Sequence, residues 1–132
     1  MPILNAGPTI VTSQAKAAVK FYAKHFDLTA NDYGAGDECW YWTLTFGENS
    51  EMSLMLPLGG WAESDGTGLF FYLEYGTEAE VDAMFERLTA AGVRVVSEQG
   101  DEITAPYRTG SMYQIWAVDP AGTRLMLLTT TE

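Results

Sequence analysis

Thr77-Glu78-Ala79-Glu80-Val81-Asp82-Ala83-Met84-Phe85-Glu86-Arg87-Leu88-Thr89-Ala90-Ala91-Gly92-Val93 is the stretch whose reading decides the fold. Thr77 and Glu80 have the spacing of a capping box, in which a hydroxyl and a carboxylate satisfy the first free N–H groups of a helix. Val81, Met84, Phe85 and Leu88 then recur at helical spacing and predict one buried face. Gly92 stands where a chain leaving a helix needs positive φ. Working outward, Leu69 to Tyr75 reads as a strand before this helix. Val93 to Ser97, Ser111 to Val118 and Arg124 to Thr130 read as strands after it, rich in β-branched and aromatic residues. Asp119-Pro120-Ala121-Gly122-Thr123 joins the last two, with Pro fixing φ and Gly allowing a tight turn.

The N-terminal half repeats this order. Gln14 to Phe26 reads as a helix with Ala15, Ala18, Val19, Tyr22 and Phe26 on one face. Thr9 to Thr12 precedes it as a strand. Glu38 to Phe46 and Glu51 to Leu56 follow it, joined by Gly47-Glu48-Asn49-Ser50 and stopped at Pro57. Val19, Tyr22 and Phe26 recur 62 residues later as Val81, Met84 and Leu88, the mark of an internal duplication. The expectation is an α+β chain of two βαβββ modules in one domain over residues 1–132. Module one spans about 3–57, a Gly- and Ser-rich linker 58–68, and module two about 69–130. A ferredoxin-like sandwich is the weaker rival, because about three strand candidates follow each helix where that fold has two.

Composition narrows the function. The 132 residues carry 7 Lys+Arg against 18 Asp+Glu, a formal charge of −11. Such acidity opposes binding to nucleic acid and to anionic membranes, both of which demand clustered Lys and Arg. No apolar run reaches the ~20 residues of a membrane span. Met1-Pro2-Ile3-Leu4-Asn5 lacks the pattern of a signal peptide and a single Cys39 forms no internal disulfide, so a cytoplasmic location is expected. From His25 through Glu86 there is no Lys or Arg, while thirteen acids fall in that stretch. This is either a field that attracts cations or a surface charge for solubility.

Ala17-Ala18-Val19-Lys20-Phe21-Tyr22, the Glu80 to Leu88 phrase running on to Ala91-Gly92-Val93, and Asp119-Pro120-Ala121-Gly122-Thr123-Arg124-Leu125 together resemble the glyoxalase/bleomycin-resistance/dioxygenase superfamily, also called vicinal oxygen chelate proteins. The resemblance covers nearly the whole chain. It implies two modules whose mixed sheets curl into a cup around a ligand or metal, commonly in a homodimer. It also implies metal-ligand positions at the start of each module's first strand and on its last strand, which fall at Gly7, Leu69 and Met126, and near Ser53 with Glu51 one step away. Gly and Leu offer no donor and a thioether is too soft for hard divalent ions. The expectation is therefore no metal and no cofactor. The only His, His25, lies on the first helix and is read as a surface or helix-end residue, and Cys39 has no imidazole partner, so no catalytic residue is assigned.

If Gly47 to Ser50 forms the first hairpin turn, Leu44 faces Ser53 and Trp42 faces Met55 on the cup side. For the Asp119 turn, Ala117 faces Met126, Ile115 faces Leu128 and Tyr113 faces Thr130, with Trp116 and Val118 against the helices. The expected lining is Trp40, Trp42, Leu44, Met55, Phe71, Tyr113, Ile115 and Met126, with Thr9, Ser53 and Tyr113 as polar handles. Trp61 in the linker is expected as a lid or dimer contact. Arg108 lies either beside the ligand or against a neighbouring carboxylate. Aromatic walls of this kind hold flat molecules by area and stacking. The function expected is sequestration of a small aromatic ligand, cationic if the acids line the site, as in bleomycin-resistance-type members. The alternatives are a glyoxalase-family enzyme of lyase, isomerase or dioxygenase type, and an accessory domain whose partner is another protein.

Overall fold

The computed structural model describes residues 7–32, 39–46, 50–57 and 70–130. Contacts divide the chain into two units, Met1–Asp65 and Gly66–Glu132. Residues 58–69, which include the expected linker, Trp61 and Leu69, lie outside the described residues.

In the first unit β1 (Thr9–Val11) leads into α1 (Ala15–Phe26), followed by β2 (Thr29–Asp32), β3 (Tyr41–Phe46) and β4 (Ser50–Met55). The sheet order is β1-β4-β3-β2, with β1 parallel to β4 and the other pairs antiparallel. β1 reaches its parallel partner β4 through α1, β2 and β3, since a parallel pair cannot be closed by a hairpin. Thr12 Oγ1 accepts from the Gln14 N–H at the entry to α1, and Asp27 takes the left-handed conformation at its end, φ 54°. Tyr22 meets Phe46 edge-on, ring centroids 6.5 Å apart, which fixes the sheet face that α1 covers. By strand alternation that face carries Trp42, Leu44 and Phe46 of β3 and Met52 and Leu54 of β4.

The second unit repeats the order: β5 (Phe70–Glu74), α2 (Glu78–Ala90), β6 (Val95–Val96), β7 (Tyr107–Thr109), β8 (Met112–Val118) and β9 (Arg124–Thr129). The sheet order is β5-β9-β8-β6, with β7 also paired to β8. α2 has the expected ends. Thr77 Oγ1 accepts from the Glu80 N–H at 3.2 Å and donates to Glu80 Oε1 at 3.0 Å. At the other end Gly92 has φ 79°, and the Val93 N–H closes on the Leu88 carbonyl at 3.0 Å. Tyr113 of β8 donates to Asp82 of α2, and Arg108 of β7 pairs with Glu78 of α2. These bonds identify the helix-facing side of the second sheet.

Two expected registers are corrected. Phe46 pairs with Ser50, leaving three residues between β3 and β4, so Thr43 and not Leu44 stands opposite Ser53, and Tyr41 and not Trp42 opposite Met55. Val118 pairs with Arg124, so Trp116 stands opposite Met126 and Gln114 opposite Leu128. The cause of the second shift is visible. Asp119 and Thr123 are still bonded across the turn, N–H to carbonyl 2.9 Å, and only Pro120, Ala121 and Gly122 lie between them, Gly122 at φ 86°. An odd loop moves the partner strand by one residue and so turns every side chain to the opposite face. β2 and β7 are also new: Thr29–Asp32 is exposed throughout, and Tyr107–Thr109, read as loop, forms a tight hairpin with Met112. His25, expected at the surface, is buried with its ring 5.0 Å from Phe21.

Candidate functional site

The face of the second sheet turned away from α2, the distal face, carries the aromatic residues. Trp116, Met126, Leu128 and Val96 cluster there, with Tyr107, Met112 and Val118 packed against them. Phe70 and Tyr72 of β5 share that face by register with Arg124 and Met126. Phe70 lies with its ring centroid 4.9 Å from Trp116 and is 52% exposed, and Tyr72 is 66% exposed. Large apolar rings left in water on a strand next to a packed Trp form a ready contact surface for another flat apolar body. Trp116 is itself only 8% exposed, and its indole N–H donates to Gln114 Oε1 at 2.9 Å. Tyr107, against the same cluster, donates its hydroxyl proton to Glu98 and accepts from the Glu98 N–H at 3.0 Å. Burial, then the Glu98 bond, pushes the Tyr107 phenol up to about 12, while the same bond holds the Glu98 carboxyl below its usual range.

The distal face of the first sheet differs in chemistry. One row runs Thr9, Ser53, Thr43, Asn31 across all four strands. Ser53 Oγ accepts from the Tyr41 hydroxyl at 2.9 Å and lies 3.4 Å from Thr43 Oγ1. Glu51 and Thr45 extend the polar character one row further. The matching row of the second sheet is Tyr72, Met126, Trp116, Val96. The duplicated sheets thus present hydroxyls in one unit and rings in the other.

Thr9, Ser53, Met55 and Met126 lie on distal faces. Trp40 precedes β3, 44% exposed, with its ring 5.9 Å from Tyr41. The odd loops send Trp42, Leu44, Tyr113 and Ile115 to the helix sides instead of the cup side. Phe71 also faces α2, because α2 starts 63 residues after α1 and Tyr72, paired to Met126, stands 63 residues after Thr9, paired to Ser53, which places Tyr72 where 62 would place Phe71. Arg108 takes the second of its two expected positions, against Glu78 and with its guanidinium 5.2 Å above the Tyr113 ring. The Asp82 bond, with burial after it, pushes the Tyr113 phenol up to about 12. Gln114, Trp116, Phe70 and Tyr72 were missed; the hairpin loop of Pro120 to Gly122, read as odd, would have found the first two.

The sequence profile of the Glyoxalase/Bleomycin resistance protein/Dioxygenase superfamily matches residues 6–127. The chain belongs to this superfamily. No curated protein sequence matches it. Among solved structures it is similar to TnmS3, an antibiotic binding protein from Streptomyces sp. CB03234, with TM-score 0.72 and 20% identity over 99% of both chains. It is also similar to a superfamily enzyme from Burkholderia phytofirmans PsJN, with TM-score 0.73 and 19% identity over 95% of this chain and 97% of that one. A Nocardioides member gives TM-score 0.71 and 20% identity, over 100% of this chain and 85% of that one. At these identities the likeness is one of fold.

The superfamily's metal positions do not fit a hard divalent ion in this chain. Gly7 runs so close to β4 that a Cβ there would lie 2.1 Å from the Glu51 carbonyl oxygen, so a ligating side chain at that position requires the backbone to move. Ser53 is bonded to Tyr41, and Met126 offers only a thioether. Among the described residues no three His, Cys, Asp or Glu side chains converge. Among them, too, no helix is long and apolar enough to cross a membrane.

Proposed function

We propose that this superfamily member is a small-molecule binding protein that takes a planar aromatic ligand against the rings of its second unit. The observation that carries this reading is the exposure of Phe70, whose ring lies beside the packed, hydrogen-bonded Trp116, and of Tyr72, on the sheet row that includes Met126. Stacking on such rings contributes roughly 0.5–1.5 kcal/mol each beyond area burial. The acids support a cationic ligand: Glu74 ends the strand that bears Phe70 and Tyr72, and Glu98 is held as carboxylate beside Tyr107. Thr9, Ser53 and Met55 are proposed separately as polar and apolar ligand contacts on the first unit's own distal face, with Trp40 as a peripheral ring of that unit, and a homodimer as the working form. The expected behaviour is binding and sequestration without chemical change.

Acridine and N-methylacridinium have nearly the same skeleton and differ in permanent charge, so calorimetric titration of both tests ring and charge together. N-methylacridinium is expected to bind more tightly at low salt, and the difference is expected to shrink as salt screens the carboxylates. Equal affinity for both removes the cationic part of the reading; binding of neither removes the aromatic part.

A further inference from the structure

Gln114 stands on the distal face of β8 between Leu128 of β9 and Tyr107 of β7, two residues from Trp116. It is only 2% exposed, a burial at which a polar side chain is retained for a reason. One half of its amide is accounted for. The Trp116 indole N–H can only donate, so the Gln114 atom 2.9 Å from it is the oxygen. That fixes the amide orientation and turns the Nε2 group, with its two N–H donors, elsewhere. Nε2 has no hydrogen-bond partner among the described residues. Nor is it sealed in: the fully enclosed side-chain polar atom without a partner, among the described residues, is Thr123 Oγ1. The Gln114 amide nitrogen is therefore nearly, though not fully, enclosed.

The neighbours do not offer what this amide lacks. Val96, Met112, Met126 and Leu128 have no acceptor oxygen in their side chains, and the Tyr107 hydroxyl is committed to Glu98. A Met or Leu at position 114 would complete the apolar cluster with no donor left to satisfy. A ligand that covers this amide removes its remaining access to water, so one that brings an acceptor meets no cost for the lost water while one without an acceptor leaves the N–H unsatisfied.

We infer that Gln114 is a specificity-determining binding residue whose Nε2 donates to an oxygen acceptor, a carbonyl or phenol-type oxygen, attached to an aromatic ligand seated on Phe70, Tyr72 and Trp116. The inference rests on the aromatic reading above and adds the functional group that the ring carries. Trp116 serves twice in it, as part of the ring surface and as the donor that holds the amide in place.

The test uses 2-acetylnaphthalene and 2-ethylnaphthalene, which share a ring system and differ by C=O against CH2. Affinities are measured on the wild-type chain and on Gln114→Met, with circular dichroism and thermal melting confirming that the variant folds. The wild type is expected to prefer the ketone by about fivefold to tenfold, the size of one neutral hydrogen bond. Gln114→Met is expected to bind the two alike while keeping the affinity for 2-ethylnaphthalene. On the wild type, the Gln114 side-chain NH2 resonances are expected to shift with the ketone and not with the hydrocarbon. Equal wild-type affinities, a preference that survives Gln114→Met, or unmoved Gln114 resonances overturn the role of Gln114 and leave the aromatic surface standing. Binding of neither probe overturns both.

Discussion

Single residues show how tightly local chemistry is constrained. Tyr75, just past β5, is pushed up to about 12, first by burial and then by the charge of Glu80, with Arg87 opposing. The unfolded phenol ionises near 10. A folded value above the unfolded one means that the native chain holds the proton more strongly, so the stabilisation is complete below about pH 10 and is lost as pH rises toward 12. Urea midpoints are expected to fall across that window and to fall less in Tyr75→Phe; identical pH profiles would refute the assignment. Gly7 gives a steric counterpart. A Cβ 2.1 Å from the Glu51 carbonyl oxygen forces β1 and β4 apart, so Gly7→Ala is expected to cost roughly 1–3 kcal/mol in equilibrium unfolding. An unchanged midpoint would show that the strand accommodates a side chain there, and the steric case against a metal ligand at this position would fail with it. The lack of a donor at Gly7 was legible from the residue type, whereas its close approach to β4 depends on a pairing between residues more than forty positions apart and was not.

Elements were legible where one residue type has one physical meaning. Thr77, Glu80 and Gly92 bound α2 as their chemistry requires, and the strands β4 and β9 present Ser53 and Met126 on the faces expected of them. Their partners β3 and β8 were misread together, for one reason. A count of one residue in a hairpin loop carries no hydrophobic signal, yet it reverses which side of a strand is core, and both loops here are odd. Trp42 and Trp116 consequently exchange the roles assigned to them. β2 was missed because Thr-Ala-Asn-Asp, exposed throughout, has no alternation to read. The second hairpin depends on Asp119, whose Oδ1 accepts from the Ala121 and Thr123 N–H groups at 2.9 Å each. Asp119→Ala leaves both donors without that acceptor at a turn whose ends, Asp119 and Thr123, are buried, with an expected loss of roughly 1–3 kcal/mol in urea unfolding. A loss well below 1 kcal/mol would show that the turn is held by Pro120 and Gly122 alone.

Across the whole chain, one duplicated βαβββ pattern carries two different surfaces. The hydroxyl row of the first unit and the aromatic row of the second occupy matching strands, so units of like topology display different chemistry. Three of the thirteen acids noticed in the sequence are engaged within the second unit: Glu78 with Arg108, Asp82 with Tyr113, and Glu80 in the α2 cap. Glu74 and Glu98 are the acids on which the proposed preference for cations rests, a narrower basis than the thirteen acids first suggested. The account's central claim is that Phe70 and Tyr72 form a binding surface. Its most direct test is calorimetric titration of N-methylacridinium into the wild-type chain and into the Phe70→Ala/Tyr72→Ala double variant, alongside thermal unfolding of both. The prediction is saturable binding to the wild type, weakened about tenfold or more in the double variant with little change in melting temperature, since both rings are already exposed. Equal affinity in the two proteins, or no binding to the wild type, would contradict it.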